Sequence, residues 1–161
     1  MIRGEQRRRM PDEKDDHHHR FRVSVTWDGD ATGSGTVQGG EAFTIPIGSA
    51  TSLGGSGKGA NSEELLLGAV GTCFVGTWAI FLKKLGIAYA EPSLSVSGTL
   101  EKDPAGGFRM REIEIACAVP ESILATQRAA VEKSLQLSEK YCIISKVARA
   151  SMPVSVRIAE I

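Results

Sequence analysis

From Leu65 to Leu82 the chain carries no charged side chain, with Glu63 and Glu64 at one end of this stretch and Lys83 and Lys84 at the other. No other feature constrains the fold as tightly. The carboxylates suit the positive end of a helix dipole and the ammonium groups its negative end. Asn61 is placed to cap the first turn, and Glu64, three residues on, completes a capping box. Gly86 offers a left-handed stop. Residues 61–85 therefore read as one long helix. A helix that is apolar all round must be buried all round. The stretch is also just long enough to cross a bilayer. But Gly68, Gly71, Thr72, Gly76 and Thr77 dilute it, and no other segment is similarly apolar. The expectation is a central core helix and no membrane span. Cys73 lies in its middle.

A chain of 161 residues suits one domain with a real core. Its formal net charge is zero, so neither nucleic acid nor anionic lipid is favoured as a partner. Residues 1–20 mix charges of both signs and have little to bury, which predicts a disordered tail ahead of a single domain over residues 21–161. His17, His18 and His19 read as a solvated run, since no Cys or carboxylate pattern beside them completes a ligand set. The charged start has no apolar signal core, which predicts a cytoplasmic protein. In that compartment three cysteines are expected to be free, redox-active or metal-bound, not structural disulfides.

Phe21, Val23, Val25 and Trp27 alternate with polar residues as a half-buried strand. A weak strand over residues 33–37 and a third through Phe43, Ile45 and Ile47 complete an antiparallel meander. Residues 49–59 form a Gly/Ser-rich loop whose one charge is Lys58, with no phosphate-binding pattern. After the long helix, Leu94, Val96, Gly98 and Leu100 alternate with polar residues. The turn 103–107 leads to a strand with Ile113, Ile115, Cys117 and Val119 on one face. Cys117, among these apolar positions, reads as structural. Leu124, Val131, Leu135, Ser138 and Cys142 share one helical face, with an interruption or renewal of the helix near Cys142. Val154, Val156 and Ile158 make a last strand. Two blocks of strands, each followed by a long helical region, define an α+β class.

Cys73 and Cys142 both lie in apolar helical surroundings. Two such thiols brought together suggest a reversible dithiol/disulfide couple, in which one thiolate becomes a sulfenic acid and the other thiol condenses with it. No Cys-x-x-Cys is present, so a thioredoxin reading fails.

Asn61-Ser62-Glu63-Glu64-Leu65, Gly71-Thr72-Cys73-Phe74 and Glu139-Lys140-Tyr141-Cys142-Ile143-Ile144-Ser145 together resemble the motifs of the OsmC/Ohr family, the osmotically inducible and organic hydroperoxide resistance proteins. Val25-Thr26-Trp27-Asp28-Gly29 is similar to the opening strand of the OsmC branch, and the resemblance covers residues 21–161. It implies antiparallel sheets packed around a long buried helix in an intertwined homodimer, with two sites at the subunit interface. It implies a thiol peroxidase for organic hydroperoxides that needs no cofactor, with Cys73 peroxidatic, Cys142 resolving and Glu63 the acidic group. Dithiols, lipoylated proteins among them, would be the reductant. Two departures stand out. Ile143 follows the resolving cysteine where the family often has Pro. The family's arginine beside the thiolate has no counterpart between Arg22 and Arg109: either Arg22 serves, or Lys58 substitutes, or the site is electrostatically weaker.

Ten helical residues span about 15 Å, more than a glutamate side chain reaches. Glu63 and Cys73 can share a site if the helix start bends away or if Glu63 comes from a second copy. Gly68, Gly71 and Gly76 each cost about 1 kcal/mol against Ala in a helix, which a closely approaching backbone could offset. Two other readings remain open: a non-catalytic dimer of the same fold that senses oxidation or binds an apolar ligand, and a metal-binding protein using Cys73, Cys142 and the tail histidines.

Overall fold

The computed structural model describes residues 18–40 and 43–161. The charged tail, apart from the exposed residues 18–20, lies outside the described residues, as does His17. The chain divides into two compact units, Met1–Gly59 and Ala60–Ile161.

The first unit is the expected meander: β1 (Val23–Asp28), β2 (Ser34–Gly39) and β3 (Phe43–Gly48), antiparallel in that order. Val25 pairs with Val37, and Val37 with Ile45. A single 3-10 turn, Thr51–Leu53, follows. The expected half-burial of the first strand is not found: all six residues of β1 are exposed, with Val25 at 60% and Trp27 at 44%. The reason is topological. Three strands make one sheet, and among the described residues of its unit no α-helix or second sheet covers a face. Ile47 is the hydrophobic residue this sheet does bury.

The second unit is built on α1 (Ser62–Lys84). Its ends are as read: Asn61 Oδ1 accepts from the Glu64 amide at 2.8 Å, and Glu64 Oε2 accepts from the Asn61 amide at 3.1 Å. Gly86 adopts φ +69°, and the Ile87 amide returns to the Leu82 carbonyl, closing the C-terminus. β4 (Ser93–Lys102) and β5 (Phe108–Val119) form the expected hairpin. Two helices follow, α2 (Glu121–Tyr141) and α3 (Ile143–Arg149), and then β6 (Val154–Glu160). Strand β6 lies beside β5 in parallel, giving the order β4-β5-β6. The sheet is thus mixed where the expectation was purely antiparallel. The helical connection returns the chain to the starting end of β5, and such a crossover yields parallel neighbours.

The core gathers Val70, Phe74, Trp78 and Leu82 of α1, Ile113, Ile115, Cys117 and Val119 of β5, and Leu124, Val131 and Leu135 of α2. Trp78 Nε1 donates to Ser134 Oγ at 2.9 Å, and Ser134 in turn donates to the Val131 carbonyl. The buried indole N–H is thereby satisfied. Among the described residues α1 alone has the length and apolarity to cross a membrane, yet one face of it is the centre of this core.

The opposite face departs from expectation. Within one chain α1 is buried on one side, not on all. Leu66, Ala69, Thr72, Gly76 and Ile80 are exposed, Ile80 at 54%. The glycines divide accordingly. A Cβ on Gly71 would meet Val96 and Leu94 at 3.0 and 3.4 Å, so β4 requires it to be small. A Cβ on Gly68 or Gly76 would meet nothing within 4 Å. The sequence places small residues there, and nothing among the described residues packs against them.

Candidate dithiol site

Both thiols singled out in the sequence fall in the second unit, and the fold brings them together. Cys73 sits in the fourth turn of α1 and is partly buried; Cys142 has no exposure. Cys142 occupies the junction of two helices. Its φ/ψ of −64° and 115° ends α2 and starts α3, making it the cap of both. Its Sγ accepts from the Ser145 amide at 3.4 Å and from the Ser145 hydroxyl at 3.1 Å. This is an N-cap made by a thiol, with Ser145 at the third helical position. The interrupted helix read at 141–145 is this junction. Ile143 is the first residue of α3, the position where Pro is tolerated because its N–H needs no helical partner.

That N–H has another use. Burial raises the Cys73 thiol, but the amide of Ile144, the thiol of Cys142, the amide of Ile143 and the hydroxyl of Thr77 outweigh burial, so Cys73 ends below an ordinary cysteine. The Thr77 hydroxyl also donates to the Cys73 carbonyl at 2.8 Å, which makes it the least dedicated of these donors. A thiol in the middle of an apolar helix gains nothing from that helix's own N-terminus, and desolvation alone would raise it. The correction comes from a different helix: the amides at the start of α3, not those of α1, point toward Cys73. Burial raises Cys142; the Ser145 hydrogen bonds pull it back in part, and Cys73 raises it further. Two neighbouring thiols are therefore pushed in opposite directions. The partly exposed one is inclined to be thiolate and the buried one to keep its proton. Cys117 is pushed up to about 12, by burial first and then by Glu139, and has no exposure, as suits a structural core thiol.

The other candidates are placed as follows. Glu63 is in the first turn of α1, its Oε2 accepting from Ser62 Oγ at 3.1 Å. Helix α1 runs unbroken from Ser62 to Lys84, so the alternative in which its start bends away falls, and Glu63 lies about 15 Å along the axis from Cys73 of its own chain. Arg22 is exposed and precedes β1 by one residue, and Lys58 is exposed in the glycine-rich loop. Both belong to the first unit and Cys73 to the second. Among the described residues no group of three or more His, Cys, Asp or Glu side chains is placed to hold a metal ion. Ser145 and the amides of Ile143 and Ile144 were missed in the sequence, although Cys-x-x-Ser at a helix start is a legible capping pattern.

The second unit is thus an α+β fold with a capped central helix and two neighbouring thiols pushed in opposite directions. A family model described as OsmC-like protein matches residues 55–157, and the chain belongs to that family. An organic hydroperoxide resistance protein-like 1 from Staphylococcus saprophyticus is 30% identical over 102 residues, covering 63% of this chain and 70% of its own. YmaD from Bacillus subtilis is 27% identical over 139 residues, 85% of this chain and 90% of its own. Among solved structures, an OsmC-like protein from Mycoplasma pneumoniae superposes with TM-score 0.74 at 16% identity, over 89% of this chain and 98% of its own. The organic hydroperoxide resistance protein OhrB of Bacillus subtilis does so with TM-score 0.65 at 20% identity, over 86% and 98%. These structures share the fold. The curated names associate the family with organic hydroperoxide resistance.

The thiol environments carry a pH prediction. With Cys73 lowered from an ordinary thiol, its reactivity falls as pH drops through that lowered pKa, and the inflection lies at lower pH than that of a free cysteine. Ile143→Pro keeps a residue suited to the first helical position but deletes one amide donor. It should move the inflection to higher pH without abolishing reaction, as read by iodoacetamide alkylation of Cys73 across pH. An unmoved inflection would remove the Ile143 amide from the account.

Proposed function

We propose that the protein is a thiol peroxidase for organic hydroperoxides, acting in the cytoplasm as an intertwined homodimer with residues 21–161 as its functional domain. The observation that carries the reading is the pairing of a lowered Cys73 thiol with a raised Cys142 thiol at the start of α3. The Cys73 thiolate attacks the terminal oxygen of the hydroperoxide, the O–O bond breaks, and the alkoxide takes up a proton to leave as the alcohol. Cys73 is then a sulfenic acid. Cys142 Sγ attacks that sulfur, a disulfide forms, and water leaves with the Cys142 proton. A dithiol reductant, free or on a lipoylated protein, exchanges with the disulfide, returning both thiols and leaving as its own disulfide.

Glu63 acts from the second copy, because the unbroken helix separates it from Cys73 of its own chain. The exposed apolar face of α1 and the exposed β1 strand supply the surface that a second copy covers. Lys58, or else Arg22, supplies the cation that the family pattern takes from arginine, and the α3 amides reduce what is asked of it.

Steady consumption of cumene hydroperoxide with dithiothreitol tests the reading. Many turnovers per subunit are expected. A single oxidation per subunit, with no cycle, would instead favour the oxidation sensor or apolar-ligand protein. Lys58→Met and Arg22→Met separate the cations: the one that serves Cys73 should show a raised thiol inflection and slower reaction at neutral pH. If neither shifts the titration, neither residue is the cation at the site.

A further inference from the structure

Beside the two thiols, the ends of α1 and α2 and the outer face of α3 form a patch of unusual make-up. Phe81 and Tyr141 lie ring against ring, centroids 5.6 Å apart and tilted by 32°. Three ammonium groups stand over these rings: Lys84 Nζ is 5.5 Å from the Phe81 centroid, and Lys140 and Lys146 Nζ are 5.2 and 5.9 Å from that of Tyr141. Tyr141 is 49% exposed, Ile143 70% and Val147 67%. Among the described residues none of the three lysines has a carboxylate partner. The nearby Glu139 is occupied by Arg149 at 2.9 Å. A chain of zero net charge thus collects unpaired positive charge around exposed apolar side chains in one place.

We propose that this patch is the docking surface for the protein that carries the reducing dithiol, and that this partner presents acidic residues around an apolar centre. The inference rests on the peroxidase reading and deepens it by naming the partner's surface chemistry. Three arguments favour a protein over a small ligand or a second copy. Side chains exposed to this degree offer no concavity in which a small molecule could bury most of its surface. An apolar centre rimmed by charge is the make-up of a transient protein interface. The single sign of that charge steers an acidic partner and repels a symmetric copy of itself. Position supports the same choice. Ile143 turns its amide toward Cys73 and its side chain to solvent, so a partner on the patch stands one residue from the reacting sulfurs.

The test does not use peroxide. Protein oxidised with diamide is mixed with a reduced lipoyl domain of acidic surface, or with free dihydrolipoamide, and recovery of thiols is followed. Reduction by the domain should be faster at low ionic strength, while reduction by dihydrolipoamide should not respond. Lys84→Glu, Lys140→Glu and Lys146→Glu together should slow the domain by about tenfold or more and leave dihydrolipoamide unchanged. The corresponding three Lys→Met changes, which keep most of each stem, should give a smaller loss of the same kind. An unchanged rate with the domain would overturn the proposal, as would equal losses with both reductants. Conversion of dimer to monomer by these changes, with the domain's rate intact, would overturn it too and make the patch a contact between copies. Failure of cumene hydroperoxide turnover counts against the peroxidase reading and leaves the docking result to stand on its own.

Discussion

Cys73→Ser is expected to reduce hydroperoxide turnover by roughly 10³-fold or more. A serine hydroxyl stays protonated where the lowered Cys73 thiol ionises, and its oxygen cannot form a sulfenic acid. The three cysteines should therefore separate cleanly. Cys142→Ser should allow one oxidation of Cys73 per subunit but impair dithiol-driven turnover, because no neighbouring thiol remains to condense with the sulfenic acid. Cys117→Ser should keep activity, since that thiol is fully buried on β5 and pushed up to about 12, although a hydroxyl in its place costs stability. Rates with cumene hydroperoxide, and trapping of the sulfenic acid with dimedone, check all three. An active Cys73→Ser with a dead Cys117→Ser would reverse the assignment.

The second large effect concerns assembly. Gly76→Arg should convert a micromolar dimer to monomer and take the activity with it. In a single chain the change is benign: a Cβ at Gly76 meets nothing within 4 Å, and Arg in place of Gly favours a helix by nearly 1 kcal/mol. If a second copy lies against this face, the same side chain drives a charge and a large volume into a closely packed contact. Glu63 of each chain then loses the Cys73 it serves. Analytical ultracentrifugation with parallel activity measurements reads both consequences. A Gly76→Arg protein that stays dimeric with full activity would remove the open face of α1 from the interface and leave Gly68 and Gly76 unexplained.

What was legible in the sequence was what local chemistry decides. Asn61, Glu64, the terminal lysines and Gly86 each report a helix end through their own side chain or backbone, and the structure places all of them as read. The helical face through Leu124, Val131, Leu135, Ser138 and Cys142 is buried as its period requires. The break near Cys142 was visible as a change of pattern. What lay beyond the sequence depends on tertiary placement. The amides of Ile143 and Ile144 are anonymous in a sequence, because every residue but proline has one; their approach to Cys73 exists when α3 packs beside α1. The parallel seating of β6 follows from the return path of two helices, not from its residues. The exposure of β1 and of half of α1 was not legible in their apolar patterns, because periodicity alone does not say what covers a face.

The central claim is that Cys73 and Cys142 act as one redox unit. Its most direct test is to treat the wild-type protein with one equivalent of cumene hydroperoxide, alkylate the remaining thiols, digest without reduction and identify the linked peptides by mass spectrometry. The account predicts a Cys73–Cys142 disulfide within one chain, loss of two thiols per subunit, and an alkylated, intact Cys117. A disulfide that includes Cys117, or a protein that keeps all three thiols after the peroxide is added, would contradict it.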